Sequence, residues 1–189
     1  MLDTVLKFMG EQLTGCVASL SGATPTPVGL SRVVDDAGKV QITEDSLAFS
    51  LVQVEEDRVM RAQVPEYTLQ AGRHVITPPE LRLNLHVLLV ANYRQYDQAL
   101  RHLSMGVQFF HENPVFTPDA FPSLDPRVER LTVELLSLSY EQLNQLWGAI
   151  GGKLLPFAVF RARGVFLRPA APTGIREPLS SIQLELQGR

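Results

Sequence analysis

Residues 130–168 read RLTVELLSLSYEQLNQLWGAIGGKLLPFAVFRARGVFLR, which is a strand, a capped helix and a second strand with almost no slack between them. In residues 130–138, Leu131, Val133 and Leu135 fall on one side and Thr132 and Glu134 on the other, the period of two that a half-buried strand needs. The period then changes. Ser139 and Gln142 have capping-box spacing: the hydroxyl accepts from one orphan helix N–H while the Gln side chain accepts from the N–H of the cap residue itself. Leu138 and Leu143 flank the box as a hydrophobic staple. Tyr140, Leu143, Trp147 and Ile150 share one helical face, so Trp147 is expected to be structural, packed between this helix and the sheet. Gly151 and Gly152 supply the left-handed residue that ends a helix cheaply. After Pro156, residues 157–167 return to strand, with Phe160, Ala162, Gly164 and Phe166 on one face and Val159, Arg161, Arg163 and Val165 on the other. The unit has the pattern of a rigid sheet centre with a helix laid on it.

Working outward toward the N-terminus, residues 112–127 contain Pro114, Pro118, Pro122 and Pro126, which preclude regular structure and mark a long loop pinned by Phe116 and Phe121. Tyr96, Ala99, Leu100, Leu103, Val107 and Phe110 make a helical stripe, widened by Met105 and Phe109, with Asp97 in the first turn and His111 in the last. From residue 81, Leu83, Leu85, Val87, Leu89 and Ala91 form one apolar face. On the other face Arg82, Asn84 and His86 give way to Leu88 and Val90, so that face becomes covered only toward the strand's end. Residues 62–81 carry Pro65, Gly72, Pro78 and Pro79 around short β-branched runs, a long excursion from a compact domain. Residues 46–54 are apolar on both faces, as in a strand covered on both sides, and Glu55, Glu56 and Asp57 end it. Residues 30–34 and 40–43 read as a hairpin turned at Asp35-Asp36-Ala37-Gly38. Residues 2–21 form an amphipathic helix whose stripe is Leu2, Val5, Leu6, Met9, Leu13, Cys16, Val17 and Leu20. At the other end, residues 168–178 read as a linker. Beyond it Ile182, Leu184 and Leu186 alternate with Gln183, Glu185 and Gln187, a short strand able to join its own sheet or a neighbour's edge.

These elements predict an α+β domain, a mixed β-sheet with helices packed on it, over residues 1–168, followed by a linker and short strand over 169–189. A chain of 189 residues, 45% hydrophobic and 20% charged, has enough apolar material for a core without staples. The net charge of −3 offers no basic excess for holding nucleic acid. A single cysteine, Cys16, excludes an intrachain disulfide, and no apolar run approaches a membrane span of ~20 residues. A soluble protein made in the cytoplasm is expected.

Catalytic patterns are missing from the sequence. Glu55, Glu56 and Asp57 are adjacent, so their carboxylates alternate between faces and read as a solvated strand end facing Arg58. Gly148, Gly152 and Lys153 fall one residue short of a phosphate loop, and Leu154 stands where Ser or Thr should hold magnesium. His74, His86, His102 and His111 show no paired ligand spacing. Cys16 reads as a small core residue, and Arg161 and Arg163, on one strand face, suit ion pairing or a polar interface. No catalytic, cofactor-binding or metal residue is assigned.

The central unit also carries a resemblance. Leu131-Thr132-Val133-Glu134-Leu135, Leu138-Ser139-Tyr140-Glu141-Gln142-Leu143-Asn144, Leu146-Trp147-Gly148 and Lys153-Leu154-Leu155-Pro156 resemble the N-terminal domain of the tube-terminator (cap) proteins of contractile injection systems, the phage-tail-like particles. Pro114-Val115-Phe116-Thr117-Pro118, Leu124-Asp125-Pro126, Leu51-Val52 with Glu55-Glu56, and the opening Met1-Leu2-Asp3-Thr4-Val5-Leu6 fit the same pattern in order, covering roughly residues 1–168. The resemblance implies a phage tail-terminator-like fold and a structural role: a hexameric ring at the baseplate-distal end of the inner tube, halting tube growth and linking the tube to the last sheath ring. Its implied partners are further copies of itself, the inner tube protein and the sheath protein, with no cofactor, nucleic acid or membrane. It also implies assembly in the cytoplasm and incorporation into a particle. The contact elements expected for such a ring are the two Pro-rich loops and the C-terminal strand. Two other readings stand beside it: an enzyme with a pocket under residues 62–81 and His74 or His86 as base, and a stand-alone oligomeric scaffold of the same fold.

Overall fold

The structure, a computed structural model, describes residues 1–21, 27–57, 66–70, 73–77, 81–167 and 174–176. In chain order the elements are α1 (Leu2–Ser21), β1 (Gly29–Leu30), β2 (Ser46–Glu56), β3 (Glu66–Gln70), β4 (Arg73–Thr77), β5 (Leu81–Asn92), α2 (Tyr96–Glu112), β6 (Val115–Phe116), β7 (Leu131–Leu135), α3 (Tyr140–Ile150), β8 (Phe157–Leu167) and β9 (Gly174–Arg176). Six strands form one sheet in the order β1-β2-β5-β8-β7-β6, antiparallel throughout except for the parallel β1–β2 pair. β3, β4 and β9 form a second, smaller antiparallel sheet in that order. The mixed sheet with packed helices is the α+β architecture expected.

The main core lies between the sheet and the pair α1 and α2. Val5, Phe8, Met9, Leu13 and Val17 of α1 and Ala99 and Phe110 of α2 are buried against Phe49, Leu85, Val87, Leu89, Phe160 and Ala162. Gly106 lets α2 settle onto the sheet, since a Cβ there would sit 2.5 Å from Leu89 Cδ2. An aromatic chain ties the layers together. Phe110 meets Phe49, Phe116 and Phe160 at centroid separations of 5.1–6.2 Å, and Phe116 meets Phe8 edge-on at 5.5 Å. Such pairs add about 0.5–1.5 kcal/mol each beyond area burial. The Pro-rich loop is pinned by buried Phe116, with partly buried Phe121 edge-on to it at 4.9 Å, and by Leu124 and Val128; the expectation of no regular structure over 112–127 is corrected, since β6 falls within it.

The opposite sheet face is covered by a smaller cluster. There Trp147 of α3 packs with Val33, Ile42, Ala48, Leu88, Val90 and Val159, its ring 5.1 Å from Phe157. The capping box is present, with the Ser139 hydroxyl accepting from the Gln142 N–H and Gln142 Oε1 accepting from the Ser139 N–H. Gly151 closes the helix at φ +73.

Several expectations are corrected. Val165 lies in the main core with Ala162 and not on the face of Arg161 and Arg163, because the β5–β8 register slips between Leu83 and Asn84 and Gly164, at φ +93, is the extra residue. A Cβ at Gly164 would lie 1.9 Å from the Arg130 carbonyl, so the bulge requires glycine. Leu135 is exposed although Leu131 and Val133 are buried, since the sheet beyond β7 ends at the two-residue β6, which reaches only Thr132. Tyr140 is 91% exposed, leaving Leu146, Trp147 and Ile150 as the buried side of α3. The α1 stripe ends at Val17, with Leu20 exposed, and Tyr96 and Leu100 lie outside the α2 stripe. The hairpin at 30–43 is reduced to one Val34–Val40 bridge closed by Asp35, whose carboxylate accepts from the Ala37 and Lys39 N–H groups; Leu30 pairs with β2 instead. Within 62–81, β3 and β4 form a hairpin, and β9 falls inside the stretch read as linker. The expected strand at Ile182–Leu186 lies outside the described residues.

Candidate assembly interface

The charged residues singled out in the sequence do not converge on a reaction centre. Cys16 is half-buried, and burial, with a smaller contribution from the Glu112 carboxylate, pushes its thiol up, the wrong direction for a nucleophile. His102 donates from Nδ1 to the Gln98 carbonyl at 2.8 Å and stacks on Tyr93 at 4.5 Å. Tyr93 itself is pushed up to about 12, by burial and then by Asp45. His111 lines a small cleft of about 250 Å³ with Phe110, Glu134 and Leu135, and His74 sits on β4 opposite Leu69 and Arg176. Gly148 and Gly152 belong to α3 and the turn after it; a Cβ at Gly152 would meet Val34 at 2.6 Å, so this glycine serves packing. Among the described residues no three His, Cys, Asp or Glu side chains are grouped to hold a metal ion.

Where α3 leaves the second sheet face uncovered, polar side chains line up across four strands. Gln53, His86, Arg161 and Glu134 occupy one row, and Glu55, Asn84, Arg163 and Thr132 the next. Arg161 and Arg163 both reach Glu134 Oε2, at 3.1 and 3.0 Å, so two guanidinium groups share one carboxylate. Their Nε atoms, and Oδ1 of the 8%-exposed Asn84, have no partner among the described residues. His86 Nε2 lies 3.3 Å from Glu55 Oε2, at ion-pair distance without hydrogen-bond alignment. The acidic run thus ends beside a histidine and not only in solvent: the β2–β5 register brings His86 diagonally beside Glu55, which no linear spacing shows. The pairing of Arg161 and Arg163 with Glu134 follows the expected ion-pair role. The two guanidinium groups and the imidazole on this face are thus matched by the Glu134 and Glu55 carboxylates.

Beside it runs an open edge. β1 covers the outer side of β2 only at Ala48 and Phe49, and the Ser31 N–H donates to the Phe49 carbonyl. From Leu51 onward no described strand pairs with that side. Leu51, Val52 and Val54 are 39%, 39% and 42% exposed. The expectation that this strand is covered on both faces therefore holds for Ser46–Phe49 and fails beyond them. The exposed half carries no proline or lysine, the residues that usually protect an edge from pairing; only the register shift at Val52 and the terminal Glu55 and Glu56 interrupt it.

Against known proteins, the fold aligns with the sheath/tube terminator, in its extended state, of PVC, an extracellular contractile injection system. The TM-score is 0.59 at 12% identity, over 94% of this chain and 63% of that one. It aligns with the tube terminating cap of the anti-feeding prophage, AFP, with a TM-score of 0.64 at 13% identity, over 98% of this chain and 61% of that one. The chain thus spans about three-fifths of the length of either. Among curated proteins none matches by sequence. The model of the Pvc16 N-terminal domain family matches residues 7–181, nearly the whole chain including the sheet, all three helices and the open edge, and the protein belongs to that family.

Proposed function

We propose that this domain is a structural cap: copies of it close into a hexameric ring on the baseplate-distal end of the inner tube of a contractile injection system, stop tube growth and join the tube to the last sheath ring. The observation that supports this reading most is the family match over 7–181 on a fold that follows two tube terminators along nearly its whole length. The physics of the role requires an interface repeated head-to-tail until it closes, one ring face complementary to the tube's growing end and an opposite face that offers the next subunit nothing. An apolar open edge and an uncovered polar face are surfaces such an assembly would cover. The role needs no catalysis or cofactor. A particle component is compatible with a chain in which no described helix is long and apolar enough to cross a membrane.

Electron microscopy of tubes grown from the co-expressed tube protein with this chain present tests the assignment. A closed ring at one tube end, and at that end only, is expected. Tubes with bare ends, or chain scattered along the tube wall, would rule out a cap.

A further inference from the structure

We infer that the outer half of β2, residues Leu51–Glu55, is the acceptor edge of the ring interface, and that its occupant is the C-terminal segment 181–187 of the neighbouring copy, added as a strand. The inference rests on the ring reading and names the contact that closes it.

The open edge needs a partner of strand form. Over Leu51–Glu55 the outer side of β2 meets no described strand, whereas Leu51 and Val54 still sit on the face of the main core, opposite Val87 and Leu85. Gln53 and Glu55 point to the polar face, opposite His86 and Asn84. An added strand must therefore be apolar on one side and polar on the other. At the other end of the sheet the edge strand β6 is only two residues long and follows Pro114, which leaves little ladder for an added strand there.

The chain supplies a matching segment. Thirteen residues, 177–189, follow β9, and within them Ile182, Leu184 and Leu186 alternate with Gln183, Glu185 and Gln187. Laid along β2, this segment continues the apolar face with three aliphatic side chains and the polar face with two amides and a carboxylate.

Topology assigns the donor to another copy. β8 lies on the side of β5 away from β2 in the large sheet, and β9, the last described strand, lies on the side of β4 away from β3 in the small one. Only residues 177–180 separate β9 from the alternating segment, a reach of at most ~14 Å. Crossing the width of β4 and β3 within the small sheet would by itself take ~10 Å of that reach. A donor on one flank and an acceptor on the other is the arrangement a head-to-tail ring requires, each copy giving and receiving one strand.

The test replaces Cys16 by Ser, then places one thiol in each of two chains, Val54→Cys in one and Leu184→Cys in a second of different mass. The chains are mixed under conditions where light scattering shows an oligomer and treated with a short bismaleimide. A heterodimer in the mixture is expected, together with a ladder up to the ring size when both thiols are on one chain, and loss of both on deleting residues 177–189. An oligomer without the heterodimer, or a doubly substituted chain that cross-links only within itself, overturns this inference and leaves the ring reading standing. A chain that stays monomeric both alone and at tube ends overturns the ring reading and this contact with it.

Discussion

The two halves of β2 are built from similar residues and meet opposite fates. Leu47, Ala48 and Phe49 are almost wholly buried, with α1 and α2 on one face and the Trp147 cluster on the other, whereas Leu51, Val52 and Val54, a few residues on, are about 40% exposed. Hydrophobicity does not separate them; coverage does. β1 stops short of Leu51, although the pairing of β2 with β5 continues to Glu56. The inner half is an investment in folding, and the outer half makes sense as an investment in assembly. Mutations should sort accordingly, large in stability at one end and nearly silent at the other.

The largest stability effect is expected where the inner sheet admits no side chain at all. Gly164→Ala would place a Cβ against the Arg130 carbonyl at a backbone conformation that alanine avoids, and should cost about 4 kcal/mol or prevent folding. Urea denaturation or soluble yield measures it, and a variant within 1 kcal/mol of wild type, in round terms, would mean that the bulge is not where the register shift puts it. Trp147→Ala should cost about 3 kcal/mol, the low end for an aromatic truncation, since this cluster is smaller and its buried indole Nε1–H has no partner among the described residues. If the denaturation midpoint is unchanged while assembly is lost, Trp147 belongs to an interface and the covered half of this face is smaller than described.

The Pro-rich loop lies between these extremes. Asp125 accepts from the Arg127 guanidinium, with Nε at 3.0 Å, and from the Arg127 backbone N–H at 2.9 Å, interactions that in that order hold its carboxyl down to about 2. A depressed carboxylate contributes stability that is present above its unfolded pKa, about 4, and is lost as pH falls through about 2. Asp125→Asn should therefore be less stable than wild type by about 1 kcal/mol at neutral pH, with the gap closing toward pH 2. Parallel pH profiles for the two proteins would contradict the assigned role of Asp125.

The smallest stability effect belongs to the outer half of β2. Leu51→Thr with Val54→Thr puts β-branched strand formers at both positions of an exposed edge, so stability should change by no more than about 0.5 kcal/mol. Assembly, read by light scattering in the presence of the tube protein, should weaken at least tenfold. A double variant that melts many degrees lower would show that the outer half serves the fold after all.

Much of this organisation was legible in the chain because local rules and tertiary structure agree there. The boundaries of β8 and α1, the capping box at Ser139, the Gly151 cap and the change from polar to apolar along the second face of β5 all follow from spacing. Legibility failed where one residue changes the phase: Gly164 moves Val165 to the other face, and no periodicity count sees a bulge. It failed again for 46–54, because a strand covered on both faces and a strand left open along one edge can have the same apolar pattern. The contact of Glu55 with His86 was hidden for a related reason, since it depends on a cross-strand register set 31 residues apart in sequence. Tyr140 misled because a ring at the first helical turn can turn outward while Trp147, two turns on, turns in.

The central claim, that this fold is a cap and acts by ending growth, is tested most directly by the length distribution of inner tubes assembled at a fixed concentration of tube protein and a rising concentration of this chain. A capped end cannot add subunits, so mean length should fall steadily as the ratio of chain to tube protein rises. Tubes of the same length at every ratio would contradict the account.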